Sequence, residues 1–168
     1  VSGAANHTLF RFRLRTYSGE DIQEETFGVR GLFTDSKTGL CINGQRVILR
    51  GACIHHDNGI LGACAYAEAE SRKIRLLKAA GYNAIRSAHN PCSKAMLEAC
   101  DREGILVMDE YVDMWYIHKT KYDYALHMEN NYKKDLKAMV DKDYNHPSVI
   151  MYCTGNEVAE TGQPHGIE

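Results

Sequence analysis

The sequence predicts an α/β protein built on a parallel sheet, because four short apolar runs each end in a polar tip and helical stretches separate them. Gly81 and Gly104 follow the first two helical stretches, where each can take the left-handed conformation that ends a helix. Strands joined by helices of this length form right-handed β-α-β units, and four of them make an open sheet or half of a barrel.

The first run, Arg46 to Ile54, leads into His55-His56-Asp57, followed by a loop and a helical stretch from Ala67 to Ala80. The second, Asn83 to Ala88, leads into His89-Asn90-Pro91, and a helix from Ser93 to Glu103 carries Met96, Leu97 and Cys100 at three- and four-residue spacing. The third, Ile105 to Met108, runs into Asp109-Glu110; after a longer connection, Met128 to Asp143 puts Tyr132, Leu136, Met139 and Val140 on one helical face. The fourth, Val149 to Thr154, is bounded by Pro147 and Gly155 and delivers Gly155-Asn156-Glu157 at its tip. A parallel barrel keeps its active site at the carboxyl ends of its strands, so Glu157 stands where a catalytic acid belongs. The competing reading is a carboxylate at an ordinary loop start.

The N-terminal part follows another rhythm. Thr8 to Tyr17 alternates apolar and polar side chains, as a strand with one wet face does, Ser18-Gly19 reads as a turn, and Thr26 to Arg30 as a further short extended piece. Two or three strands are too few for a stable sandwich, so they either pack on the α/β part or lack partner strands. Gly39 to Ile42 and Gln45 to Ile48 flank Asn43-Gly44, a strong hairpin signal. This hairpin would close the floor of the α/β unit.

Composition narrows the function classes. The chain has 168 residues, 44% hydrophobic and 25% charged, enough for the core of one domain. Twenty basic against 22 acidic residues give a net charge of -2, which offers no basic field for nucleic acid. No apolar run approaches the roughly 20 residues of a membrane span, and Val1 to Asn6 lacks the features of a signal peptide. The expected partner is therefore neither nucleic acid nor membrane. The six cysteines contain no C-x-x-C pair, and Cys53 and Cys153 fall in expected buried strands. They read as reduced core residues and point to a cytoplasmic location, with secretion of a longer protein left open. His55 and His56 would leave a regular strand on opposite faces, so a metal-dependent hydrolase using His55, His56 and His89 is the weakest reading.

Taken in order, Leu49-Arg50-Gly51 with His55, Asn83 to Pro91, Asp101-Arg102-Glu103-Gly104, Asp109-Glu110, Asn145-His146-Pro147-Ser148 and Gly155-Asn156-Glu157 resemble glycoside hydrolase family 2. That family contains β-galactosidases, β-glucuronidases and β-mannosidases. The resemblance covers residues 26 to 158 and is specific as an ordered set. It implies that residues 1–39 are the last strands of an immunoglobulin-like β-sandwich plus its linker, and that residues 40–168 are the first half of a (β/α)8 TIM barrel.

The same resemblance implies site roles. Glu157 matches the family's general acid/base, with a pKa raised by burial and by a neighbouring nucleophile. Asn156 would hydrogen-bond the sugar 2-hydroxyl, and His55 and His89 would contact sugar hydroxyls. Asp113 and Trp115 would bind a hydroxyl and stack on a sugar face, although Trp115 reads equally as a loop aromatic tucked onto the core. One of Asp109 and Glu110 would support the site by pairing with Arg86. Met114-Trp115-Tyr116 stands where β-galactosidases of the family carry acidic and histidine ligands for magnesium, so no metal or other cofactor is expected. Tyr152-Cys153 replaces the family's usual Trp-Ser, and Asn90 stands where many members have Tyr, which suggests a different branch and glycoside.

The family nucleophile lies at the end of the seventh barrel strand, and neither Glu160 nor Glu168 is far enough along to be that residue. The expectation is a β-galactosidase-like fragment that is inactive alone and self-associates through its open edge. The alternative is a non-catalytic carbohydrate-binding domain on the same scaffold.

Overall fold

The computed structural model describes residues 11–164. Its centre is a four-stranded parallel sheet, β6 (Gly51–Ile54), β7 (Ala84–Ser87), β8 (Leu106–Glu110) and β9 (Val149–Cys153), in that spatial order. The helices α1 (Ala67–Ala79), α2 (Lys94–Glu103) and α3 (Ala125–Asp143) connect successive strands. This is part of a TIM-barrel arrangement, as expected, with each strand handing its carboxyl end to one rim.

Local chemistry sets these boundaries. Ser93 caps α2 by accepting the Met96 N–H at 3.1 Å, and Gly104 ends it in the left-handed conformation at φ 70°. β8 runs on through Asp109 and Glu110, farther than its apolar run suggested, because the β9 ladder pairs Asp109 with Tyr152 and Glu110 with Cys153. β6, in contrast, begins only at Gly51. The backbone just before it is held by the Asn83 side chain, which accepts the Arg50 N–H at 2.7 Å and donates to the Ile48 carbonyl at 2.9 Å.

The pleat assigns the two sheet faces. Ile85, Val107 and Val149 point toward the helices and join Ile74, Met96, Leu97, Cys100 and Ile105 in the main core. The next row in register, Cys53, Arg86, Met108 and Met151, faces the concave side. That placement corrects the expected burial of Cys53, which is exposed, and of Cys153, which is only half-buried; Cys92 and Cys100 are the core cysteines, and all six are free thiols.

Below the sheet, β3 (Leu32–Asp35), β4 (Gly39–Ile42) and β5 (Gln45–Arg46) form a small antiparallel sheet. Asn43 and Gly44 turn the hairpin with φ of 50° and 78°. Ile42 and Val47 pack on Ala84 and Leu106 at the strand starts, which makes this unit the floor of the half-barrel. The N-terminal segment is a two-stranded ribbon, β1 (Arg11–Ser18) with β2 (Asp21–Gly28). The second strand is longer than the short piece expected, and the ribbon has no dry face: Phe12, Leu14, Tyr17 and Ile22 are all exposed. Residues 8–10 of the expected first strand lie outside the described residues.

Candidate active site

The carboxyl ends of β7, β8 and β9 contribute to one connected polar network. Glu110, fully buried at the end of β8, takes the Arg86 Nε–H at 2.6 Å and also meets Arg86 Nη2. Its other oxygen lies 2.7 Å from His89 Nδ1. A carboxylate can only accept, so Nδ1 carries the proton and Nε2 is the ring atom left for a ligand. Arg86 extends the network by donating from Nη2 to Asn156 Oδ1 at 2.9 Å. Burial alone would lower the Arg86 pKa, but its bonds and charge pairing with Glu110 raise it.

Asn156 is held from its other end as well, since its amide donates to Asp113 Oδ1 at 2.8 Å. Lys119 Nζ reaches the same Asp113 oxygen at 2.7 Å. Burial would push the Asp113 carboxyl up, but the hydrogen bonds from Lys119 and Asn156 and the charges of Lys119 and His89 outweigh it and hold the group below the usual carboxylate range. The His55 ring meets the His89 ring edge-on at a centroid distance of 5.4 Å. His56 is turned away, with a buried Nδ1 that has no partner among the described residues.

Glu157 leaves this network at the β9 tip with a left-handed backbone, φ 45°. Its side chain is 83% exposed, which corrects the expectation of a carboxyl buried beside apolar neighbours. The described residues that flank this acid are those of the strand tip and Lys119, whose Nζ stands 3.8 Å from Glu157 Oε2. Trp115 donates its indole N–H to the Thr154 carbonyl at 2.9 Å and packs beside Tyr111 and Met128, the tucked arrangement. Gly155 allows this closeness: a Cβ there would stand 3.0 Å from Trp115 Nε1 and 2.5 Å from Val158 Cγ2.

Asp109 and Glu110 divide their roles by pleat parity. Glu110 points to the concave side and meets Arg86, whereas Asp109 points to the helices, where its Oδ1 takes the Cys92 N–H at 2.8 Å. Two residues that carried no signal in the sequence reading prove important to the geometry. Glu160 Oε1 accepts the N–H groups of Tyr116 and Ile117 at 2.6 and 2.8 Å, pinning the loop after β8, and Lys119 lies farther along that loop. Burial would raise the Glu160 carboxyl, but these backbone bonds lower it. Neither residue could have been found from spacing, because each acts across roughly 40 residues of chain through a loop of irregular structure.

A cleft of about 540 Å³ beside the network is lined by His89, Pro91, Tyr111, Asp113, Met114 and Met139, among others. It touches the site through His89 and Asp113 and does not reach Glu157. Among the described residues no group of three or more His, Cys, Asp or Glu side chains could hold a metal ion.

The stretch of chain that carries this network is matched by a family model. Residues 34–166 fit the TIM barrel domain of glycosyl hydrolases family 2. The chain belongs to that family. Among family 2 relatives, a β-galactosidase, BoGH2A of Bacteroides ovatus, is 40% identical over 154 residues, which is 92% of this chain and 18% of that protein. A putative β-glucuronidase of Formosa agariphila is 33% identical over 163 residues, covering 95% of this chain and 16% of that protein. A crystal structure of a family 2 member from Bacteroides cellulosilyticus superposes with a TM-score of 0.82 at 47% identity, over 88% of this chain and 20% of that one. The chain therefore spans about a fifth of the length of such family 2 relatives.

Proposed function

We propose that these residues form part of the catalytic site of a retaining β-glycosidase, with Glu157 as general acid/base and a β-galactoside as the substrate. The observation that carries the reading is the double tie on Asn156, from Arg86 and to Asp113, which fixes the residue directly before an exposed carboxyl at a strand tip. Retaining glycosidases place two carboxyl groups about 5–5.5 Å apart. The residues assigned here supply one of the two, Glu157.

In the first half-reaction the attacking carboxylate forms a bond to the anomeric carbon as the glycosidic C–O bond breaks. Its electron pair goes to the leaving oxygen, which takes the Glu157 proton. In the second, the Glu157 carboxylate takes a proton from water while that water displaces the enzyme carboxylate, and Glu157 ends protonated as it began. Asn156 and His89 would bind sugar hydroxyls, with His55 and Asp113 at the rim of the same pocket; Trp115 would flank it as a wall. Glu110 and Arg86 serve as support, because both spend their hydrogen bonds inside the network. The choice of a galactoside rests on the relative that is 40% identical, and a glucuronide is the next substrate to test.

The test is hydrolysis of nitrophenyl β-galactoside, glucuronide, mannoside and glucoside by a full-length protein carrying these residues, beside its Glu157→Gln variant. Turnover of the galactoside, lost by about 10²-fold or more in the variant, is expected. A variant as active as the parent would remove Glu157 from the role, and failure of every substrate would favour a carbohydrate-binding domain.

A further inference from the structure

The loop between β8 and α3 supplies the site with a cation of unusual connectivity. Lys119 Nζ donates to Asp113 Oδ1 at 2.7 Å and to the Asn156 carbonyl oxygen at 2.7 Å. It also stands 3.8 Å from Glu157 Oε2. An ammonium has three N–H donors, so two are spent on these oxygens and one remains toward Glu157. A solvated surface lysine gains little from a single exposed carboxylate. This one is 26% exposed and ties together the loop, the Asn156 backbone and the acid.

The loop that presents it is anchored at both ends. Glu160 holds the N–H groups of Tyr116 and Ile117, and Asp123 Oδ2 takes the N–H of Lys119 at 2.7 Å and of Thr120 at 2.8 Å. The Lys119 backbone is thus fixed before its side chain reaches across to β9. Its contact with the Asn156 carbonyl falls on the peptide that enters Glu157, a residue whose left-handed backbone is costly for anything but glycine. Such a conformation persists only where surrounding bonds over-determine it.

We infer that Lys119 is a positioning residue for the acid/base, holding the Asn156–Glu157 peptide so that the Glu157 carboxyl is aimed at the leaving oxygen. The inference rests on the assignment of Glu157 made above. It concerns proton delivery alone, so its signature is a dependence on how much the leaving group needs a proton. A dinitrophenolate leaves without one, whereas a phenolate does not, and azide can replace water in the second step without a base.

The test uses the full-length protein with Lys119→Met, Lys119→Arg and Glu157→Gln. For Lys119→Met, kcat/KM on a phenyl glycoside should fall by about 10²-fold, the scale of a misplaced catalytic group. Loss on the dinitrophenyl glycoside in azide should be far smaller, and Lys119→Arg should recover part of the phenyl glycoside activity. Equal losses on both substrates, or no loss on the phenyl glycoside, would overturn the inference provided Glu157→Gln shows the leaving-group dependence and azide rescue. If Glu157→Gln shows neither, both assignments fall together. A thermal melt of Lys119→Met that matches the parent separates misaiming from misfolding, and in a destabilised variant Lys119→Arg carries the same comparison.

Discussion

Asp109 in β8 and Asp143 at the end of α3 are neighbouring carboxyl groups, and both are fully buried. The Oδ2 of each has no hydrogen-bond partner among the described residues. Two neighbouring buried carboxyl groups repel when both are ionised, so the site favours a proton on one of them. Burial first, then the neighbouring Asp109 carboxyl, push Asp143 up to about 7, against the opposing pull of Lys142. Lys142 also donates to the Cys92 carbonyl at 2.8 Å, and Asp109 and Asp143 in turn help burial raise the Cys92 thiol.

A raised folded-state pKa gives stability that is complete below the unfolded value of 3.8 and lost as pH rises through about 7. Thermal melts of the chain should therefore show a decline in Tm across that window attributable to this pair. Asp143→Asn, which keeps a donor for Asp109 without a titrating proton, should flatten the decline. An unchanged slope would mean that the pair does not share a proton.

Glu110→Gln tests the support beneath the site. The substitution keeps the shape but leaves the Arg86 guanidinium without its buried counter-charge and His89 Nδ1 with an amide in place of a carboxylate. Breaking one side of a buried pair costs about 3 kcal/mol or more, so denaturant melts should lose about that much. In the full-length protein, kcat/KM should fall with it, because Arg86 also fixes Asn156. A loss of less than about 1 kcal/mol would show that Arg86, which retains some exposure, is satisfied by water instead.

Gly155→Ala tests the strand tip. The added methyl would have to displace Val158 or the indole of Trp115, and overpacking of this kind costs about 1–3 kcal/mol. Trp115 is the chain's one tryptophan, so its emission reports the tip directly. Loss of the Thr154 hydrogen bond should shift that emission. A variant with unchanged emission and Tm would show that the tip relaxes freely.

The parts legible in the sequence are those governed by short-range periodicity. The four strands and three helices followed from apolar spacing, Gly104 and the Asn43-Gly44 turn from backbone permissiveness, and the family from an ordered set of strand tips. Pleat parity would also have separated Asp109 from Glu110 had the length of β8 been known; the sequence placed its end one or two residues early, and parity inverts with each residue. Lys119 and Glu160 were not legible, because irregular loops carry no period and the contacts that tie Lys119 to Asn156 and Glu160 to Tyr116 are distant in sequence. The exposure of Glu157 and Cys53 depends on what lies over the concave face, which no local pattern reports.

The concave face leads to the last prediction. Among the described residues β6 and β9 form the two edges of the parallel sheet, with no further strand paired to either. Between them the row Cys53, Arg86, Met108 and Met151 lies over a cleft of about 240 Å³ that also involves Leu49, Ile85, Val107 and Ile150. Open edges beside an apolar hollow favour pairing with another sheet, so the 168-residue chain alone should self-associate in a concentration-dependent way by light scattering. Lysines placed at Ile150 and Met151 should shift it toward monomer without restoring a sharper melt, since they protect the edge but add no core. A monomeric wild-type chain with a cooperative melt would show that the half-barrel is self-sufficient, with its edges already protected.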